Sequence, residues 1–296
     1  MSGVPRRPFG RAGFSMPALG LGAGHVGGAE LAERDVAALI DAALDLGADL
    51  IDTARSYGES EARIGRCLAG RRGRAVLSTK IGYGIPGFAD WTGACIRAGV
   101  DAALQRLGTD VLDVVHLHSC PVEVLARGDV VEALEEAVRA GKVRVAAYSG
   151  DNEPLAWAVD SGRFGGVQTS LNLCDQAALR DAVPRAADSG LGVIAKRPLA
   201  NAPWRFETRP GAPDVAEYWD RFHALGLDPP GMPWEEAAIR FAAYLPGVSA
   251  CIVGTADPAH LKRAAEAVAR GPLPDEVAGA IRAAFARHGG AWRGQV

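Results

Sequence analysis

The sequence predicts an α/β protein of the (β/α)8 TIM barrel kind, and three observations carry that expectation. Eight short apolar runs alternate with Ala-, Leu- and Arg-rich stretches of helical period along the 296 residues. No shift of composition and no Pro/Ser-rich linker divides the chain, so residues 1–296 read as a single barrel domain. The loop after the first run, Gly20-Leu21-Gly22-Ala23-Gly24-His25, lacks the spacing of a dinucleotide fingerprint, which weighs against the runner-up, a doubly wound open sheet.

Taken in order, residues 7–16 form two short runs around a glycine-containing turn, which suits an N-terminal β-hairpin cap plugging the lower end of the barrel. Barrel strands are expected near residues 19–22, 50–53, 76–80, 111–118, 143–148, 167–170, 192–195 and 250–253, with helices between them over segments such as 34–46, 94–107 and 130–140. Gly58 followed by Glu61, Ile64, Gly65 and Leu68 opens a further amphipathic helix. A long insertion follows the seventh strand: residues 201–232 precede a helix starting near Pro233 and exceed an ordinary connection. It carries Trp204, Phe206, Tyr218 and Trp219 with Arg205 and Arg209, so it is expected to wall a pocket.

Three consecutive apolar runs end in polar residues suited to chemistry. The second ends at Asp52 and is followed by Tyr57, the third ends at Lys80, and the fourth at His118. Active sites of such barrels stand at the C-terminal ends of the strands, where this reading puts all four. A tyrosine hydroxyl exchanges protons poorly at neutral pH, and a neighbouring ammonium stabilises its phenolate. Lys80 suits that part, Asp52 would hold and charge-balance the lysine, and His118 would orient a carbonyl oxygen. Singly, each residue is commonplace at a loop or in a core; on three successive strands they define a site. His116, two positions before His118, reads as a hydrogen-bonded interior histidine. Cys120, two past His118, is a candidate pocket-wall residue beside Trp204 and Trp219.

Composition narrows the remaining classes. With 48% hydrophobic and 23% charged residues and a formal net charge of −3, the chain has neither a basic footprint for nucleic acid nor one for an anionic membrane. The first ten residues have no apolar core behind their arginines, and no stretch is long enough to span a bilayer, so a cytoplasmic location is expected. The 5 cysteines are scattered without a C-x-x-C pair, which favours reduced thiols over a disulfide framework or a metal site.

These residues together resemble the aldo-keto reductase family. The resemblance runs through Leu19-Gly20-Leu21-Gly22, Ile51-Asp52-Thr53-Ala54 with Tyr57-Gly58 and Ser60-Glu61, Ser78-Thr79-Lys80, and Asp113 to His118. It continues in Gly141-Lys142-Val143-Arg144, Gln168 with Asn172-Leu173, Arg197-Pro198-Leu199 and Ile252-Val253-Gly254-Thr255. The resemblance implies the tetrad Asp52, Tyr57, Lys80 and His118 and a nicotinamide cofactor, NADP(H) with NAD(H) as the alternative, bound extended across the barrel mouth. It implies reduction of a small-molecule aldehyde or ketone by hydride transfer with Tyr57 as proton donor, in a monomer or small homo-oligomer. By motif position, Ser149 and Gln168 resemble the family's carboxamide contacts, and Asp52 and Thr53 its ribose-side contacts. Leu199, Gly254, Thr255 and His260 resemble the phosphate and adenosine contacts, with Asp257-Pro258 opening the last barrel helix.

The chain departs from the family at three places. Gly150 stands where many members have Asn, Lys196 beside Arg197 where many have a ring-stacking aromatic, and His260 and Arg263-Ala264 where a basic residue and a Glu-Asn pair are usual. Asp257 would repel a 2′-phosphate, so the implied preference for NADP is modest. Two other functions fit the same residues: an NAD(P)-dependent sugar or alcohol dehydrogenase working in the oxidative direction, and a cofactor-binding redox-sensing regulatory subunit.

Overall fold

The computed structural model describes residues 3–295. Strands β1 (Arg6–Pro8) and β2 (Ser15–Pro17) pair antiparallel as the expected hairpin. Eight parallel strands follow: β3 (Leu19–Gly22), β4 (Leu50–Asp52), β5 (Val76–Ile81), β6 (Leu112–His118), β7 (Val143–Ser149), β8 (Gly166–Ser170), β9 (Gly192–Lys196) and β10 (Ala250–Gly254). They form a closed barrel in chain order, with β10 pairing back onto β3. The outer layer comprises α1 (Glu33–Asp45), α2 (Ser60–Cys67), α3 (Gly93–Leu107), α4 (Val122–Arg127), α5 (Asp129–Arg139), α6 (Asn152–Asp160) and α7 (Ala182–Asp188). It is completed by α8 (Pro213–Leu225), α9 (Trp234–Ala243), α10 (Pro258–Ala269) and α11 (Asp275–His288). This is the (β/α)8 TIM barrel expected from the sequence, its strand ends within a residue or so of those read from the apolar runs.

Strand alternation sorts the barrel's residues into two cores. On β6, Val115 and Leu117 join the large cluster between strands and helices, whereas Val114 joins a small interior cluster with Leu50, Val76, Val145, Ala147, Ile194, Ala250 and Ile252. The hairpin adds Phe9 and Met16, both fully buried, to that interior cluster, so it closes the N-terminal end. Glycines make room for it: a Cβ on Gly192 would lie 2.1 Å from the Phe9 ring, and one on Gly166 2.5 Å from it.

Register then layers the interior. Leu50 and Val76 lie level and apolar at the bottom; two residues further along their strands come Asp52 and Ser78, level with Val114. Above them Lys80 pairs in register with His116, His118 with Ser149, and Ser149 with Gln168. Two-residue alternation thus stacks the polar side chains at the C-terminal mouth, above an apolar plug.

Residues 201–232 are not a bare loop. They contain a short turn at Pro203–Arg205 and the 13-residue helix α8, which packs against that turn and against α11. No helix among the described residues is long and apolar enough to cross a membrane.

Candidate active site

The loop after β4 is pinned to β5 by its backbone. Thr53 N donates to Ser78 O at 2.8 Å, Arg55 N to Lys80 O at 3.1 Å, and Tyr57 N closes a turn onto Ala54 O at 3.1 Å. Gly58 follows with φ 53°, a left-handed conformation that a Cβ would strain, and a Cβ there would also meet Gly27 O at 2.6 Å. The chain is thereby turned back so that Tyr57 faces the mouth next to Lys80, whose Nζ lies 5.0 Å from the centre of the Tyr57 ring.

Asp52 and Lys80 form a buried ion pair at 2.5 Å, and Lys80 Nζ also donates to Thr53 O at 2.8 Å. The second carboxylate oxygen of Asp52 accepts from Ser78 Oγ at 2.7 Å and from Gln168 Nε2 at 2.9 Å. Burial works against both charges. For Asp52 it is outweighed by the charges of Lys80 and His116 and by hydrogen bonds from Lys80 and Ser78, which hold the carboxyl below its ordinary range. For Lys80 it is outweighed by the charge of Asp52 and then by Tyr57, which raise the ammonium above its ordinary value. The pair stays charged although both side chains are buried.

His118 stands across the site, its ring edge-on to Tyr57 with centroids 5.9 Å apart. Burial, then the charges of Lys80 and Lys196, push its imidazolium down to about 3, so the ring is neutral. Tyr83, on the loop after β5, stacks on the His118 ring at 5.7 Å and meets its Nδ1 at 3.0 Å. His116 lies one layer below, fully buried, its Nε2 3.0 Å from Ser78 Oγ, in the interior position expected of it.

A cavity of about 830 Å3 opens above these groups. Asp52, Tyr57, Lys80 and His118 lie at its base, Ser149, Gln168, Lys196, Arg197 and Leu199 along it, and Gly254, Thr255, His260 and Arg263 at its far side. Gly22, Gly24 and Gly254 also line it and leave the backbone bare there. Ser149 Oγ donates to Gln168 Oε1 at 3.0 Å, and Lys196 is paired with the buried Asp151 at 2.9 Å. His260 lies 3.5 Å from Asp257, which caps α10 by accepting from Ala259 N, and Arg263 lies 3.7 Å from Glu235, another wall residue.

Every non-glycine residue with positive φ among those described follows the C-terminal end of a barrel strand, in the connecting loop or, for Asn152, at the first residue of the helix. Trp91, Ser119 and Asn152 follow β5, β6 and β7, and Arg197, Ala200, Asn201 and Ala202 follow β9. Such conformations cost about 1–3 kcal/mol each and gather where a surrounding structure must hold a ligand-facing shape.

Of the residues expected at the site, three lie off the cavity and Trp204 lines it. Thr53 does not line the cavity: its hydroxyl donates to Ser60 Oγ at 2.8 Å and its carbonyl serves Lys80. Cys120 does not reach it either, because Ser119 takes φ 59° and turns the next residue into the core, where burial pushes the thiol up to about 12. Trp219 donates from Nε1 to Phe206 O at 3.0 Å and packs, tilted, against His223, and it does not line the cavity. Trp204 does line it, backed by Trp234 and Phe222. Tyr83, Asp151, Asp214 and Glu235 were not singled out from the sequence. Position past a strand's C-terminal end was the one signal available for Tyr83.

A parallel barrel with an ion-paired lysine, a tyrosine and a neutral histidine at its C-terminal mouth defines a class of carbonyl-handling enzyme. The sequence profile of the aldo/keto reductase family matches residues 18–286, and the chain belongs to that family of NAD(P)-dependent oxidoreductases. It is 29% identical to L-galactose dehydrogenase of Arabidopsis thaliana over 68% of this chain and 67% of that protein. It is 28% identical to D-threo-aldose 1-dehydrogenase of Pseudomonas sp over 86% of this chain and 90% of the other. A solved Pseudomonas aeruginosa structure assigned to the aldo-keto reductases superposes with a TM-score of 0.73 at 29% identity, covering 90% of this chain and 94% of that one. The holo form of a Bacillus halodurans aldo-keto reductase shares the fold with a TM-score of 0.84 at 23% identity, over 95% and 96% of the two chains.

Proposed function

We propose that this chain reduces an aldehyde or ketone to an alcohol with NAD(P)H, with Tyr57 as the proton donor. The observation that carries the reading is the meeting of Tyr57, His118 and the Asp52-held Lys80 at the base of one cavity. Negative charge develops on the carbonyl oxygen as its carbon is reduced, so donors must be aimed at that oxygen. Tyr57 Oη gives it a proton, and Lys80, kept cationic by Asp52, stabilises the phenolate left behind. Neutral His118 offers a ring N–H to the same oxygen.

The nicotinamide, when bound, supplies the hydride. The cavity fits such a group in two respects: its length carries polar side chains from the tetrad to Arg263, and the bare backbone at Gly22, Gly24 and Gly254 leaves room for close approach. Gln168 Nε2 has a second hydrogen beyond the one given to Asp52, and Ser149 Oγ keeps its lone pairs, so the two can hold a carboxamide. Asp52 would serve the ribose side, and Lys196 and Arg197, which line the same cavity, would serve the nicotinamide. Leu199, Gly254, Thr255, His260 and Arg263 serve the phosphates and adenosine. NADP(H) is preferred modestly, because the cations suited to its 2′-phosphate each face a carboxylate.

The same groups run backwards, and a second reading has support of its own. L-galactose dehydrogenase, D-threo-aldose 1-dehydrogenase and a 6-dehydroglucose reductase of Novosphingobium aromaticivorans, 32% identical over 50% of this chain, are all named for sugars. A sugar-derived hydroxyl oxidised with NAD(P)+ is therefore the alternative substrate class, and Asn201, Asp214 and Trp204 give the wall hydrogen-bonding groups and an apolar face for it.

A screen of aldehydes, ketones and sugars with both cofactors, followed at the nicotinamide absorbance, identifies a working substrate. Tyr57→Phe is then expected to cut turnover by about 10²- to 10⁴-fold with cofactor affinity unchanged, the usual contribution of a placed general acid. Near-normal turnover in that variant removes the mechanism. Tyr57 is the residue to change, since deleting Asp52 or Lys80 strands a buried charge and destabilises the fold by about 3–5 kcal/mol.

A further inference from the structure

Tyr83 occupies a place that the proposed reaction leaves unassigned. It lies behind His118 and does not line the cavity, yet its hydroxyl is 3.0 Å from His118 Nδ1, and the two rings stack with planes 22° apart. Trp91 packs edge-on against the other side of Tyr83 at 5.6 Å, and Ser56 Oγ lies 3.3 Å from its hydroxyl. The ring therefore has little freedom, and its one hydroxyl proton has two destinations.

We infer that Tyr83 is a positioning residue that donates its hydroxyl hydrogen to His118 Nδ1 and so fixes the histidine as its Nε2–H tautomer. A neutral imidazole carries one N–H, and the bond made by one nitrogen decides which form persists. With Nδ1 accepting from Tyr83, the proton sits on Nε2, the only nitrogen left for a substrate oxygen. With the opposite arrangement, Nδ1–H donates to Tyr83, Tyr83 donates to Ser56, and Nε2 presents a lone pair that repels the carbonyl oxygen. A phenol is a stronger donor than acceptor and an imidazole nitrogen accepts better than a phenol oxygen, which favours the first arrangement across the 3.0 Å contact and leaves the Ser56 hydroxyl, 3.3 Å away, free to turn and donate to the tyrosine oxygen. His118 is the ring it acts on in both, and the neighbouring Lys80 and Lys196 charges keep that ring from taking a second proton.

The inference rests on the proposed reduction for its consequence and on nothing but the hydrogen bond for its substance, and the test separates them. In the wild-type protein without cofactor, 15N chemical shifts of His118 are expected to show Nδ1 unprotonated and hydrogen-bonded and Nε2 protonated. Tyr83→Phe keeps the stacked ring and the Trp91 contact, so it is expected to fold normally, to bring both nitrogens to averaged shifts of mixed tautomers, and to lower kcat about 10-fold, the worth of one lost hydrogen bond. Cofactor dissociation constants stay unchanged. Ser56→Ala is expected to leave the His118 spectrum as in the wild type. A wild-type spectrum with Nδ1 protonated overturns the inference, as does a Tyr83→Phe spectrum identical to wild type. Absence of carbonyl turnover with every substrate and either cofactor counts against the proposed reaction, while the spectrum still decides the tautomer.

Discussion

At the scale of single residues, the proposed preference for NADP(H) rests on two cations and the carboxylates facing them. Arg263 is held 3.7 Å from Glu235, and both are partly exposed, so the pair's attraction is screened and worth no more than about 1 kcal/mol. Glu235→Gln is expected to tighten NADPH relative to NADH by about 2- to 5-fold, and Arg263→Ala to remove the preference, both read by fluorescence quenching at low salt. A ratio unmoved by either change means that Arg263 does not meet the 2′-phosphate. Most of the candidate site residues that the sequence made legible lie at strand ends: Asp52, Lys80 and His118 close apolar runs and alternation points them inward, while Tyr57 was read from its place just after the second run. Tyr83 was illegible because it acts through a ring from another strand, which no spacing along the chain encodes. Cys120 misled for a related reason. Counting two residues past His118 extends strand alternation beyond the strand, where Ser119 at φ 59° has already turned the chain.

Among the elements, the insertion between β9 and α9 is where length and composition told half of the story. Its aromatic content marked it as a wall, and Asn201, Ala202, Trp204, Arg205, Asp214 and Val215 do line the cavity. Length and aromatic content carried no sign of the helix inside it, which starts with Pro213 in its first turn, where proline's fixed φ suits a helix. Once α8 forms, its period separates the two tryptophans that the sequence had grouped. Trp204 faces the cavity from the turn, and Trp219 lies against His223 on the helix surface. Trp204→Ala is therefore expected to raise KM for the working substrate about 10-fold, while Trp219→Ala leaves KM within about 2-fold and changes thermal stability alone. Equal effects of the two changes on KM would mean that α8 shifts toward the mouth when substrate binds.

For the whole molecule, the closed barrel was the most legible feature, because eight successive strand-and-helix units in one chain have few other arrangements. What closure entails is less visible in the sequence: titratable groups such as His116 are buried inside the barrel, and folding stability becomes a function of pH. His116 and His118 have ordinary values of 6.5 and are held to about 4 and about 3, chiefly by burial. Between those values and 6.5 the unfolded chain binds protons that the native chain refuses, so stability falls as pH falls. Asp175 acts in the opposite sense: burial raises it from 3.8 to about 6, so the native state holds a proton there that the unfolded state lacks. From pH 6.5 to about 6 two histidine protons favour unfolding. Below that, to about pH 4, Asp175 cancels one of them and a net proton remains, worth about 1.4 kcal/mol per pH unit. Urea unfolding is thus expected to show stability dropping by about 2–4 kcal/mol between pH 7 and pH 4.5. Asp175→Asn, by removing the opposing group, is expected to steepen the decline, and His118→Gln to flatten it. Stability that holds level to pH 4.5 would mean that the interior histidines take up protons in place and that water enters the barrel mouth to solvate them.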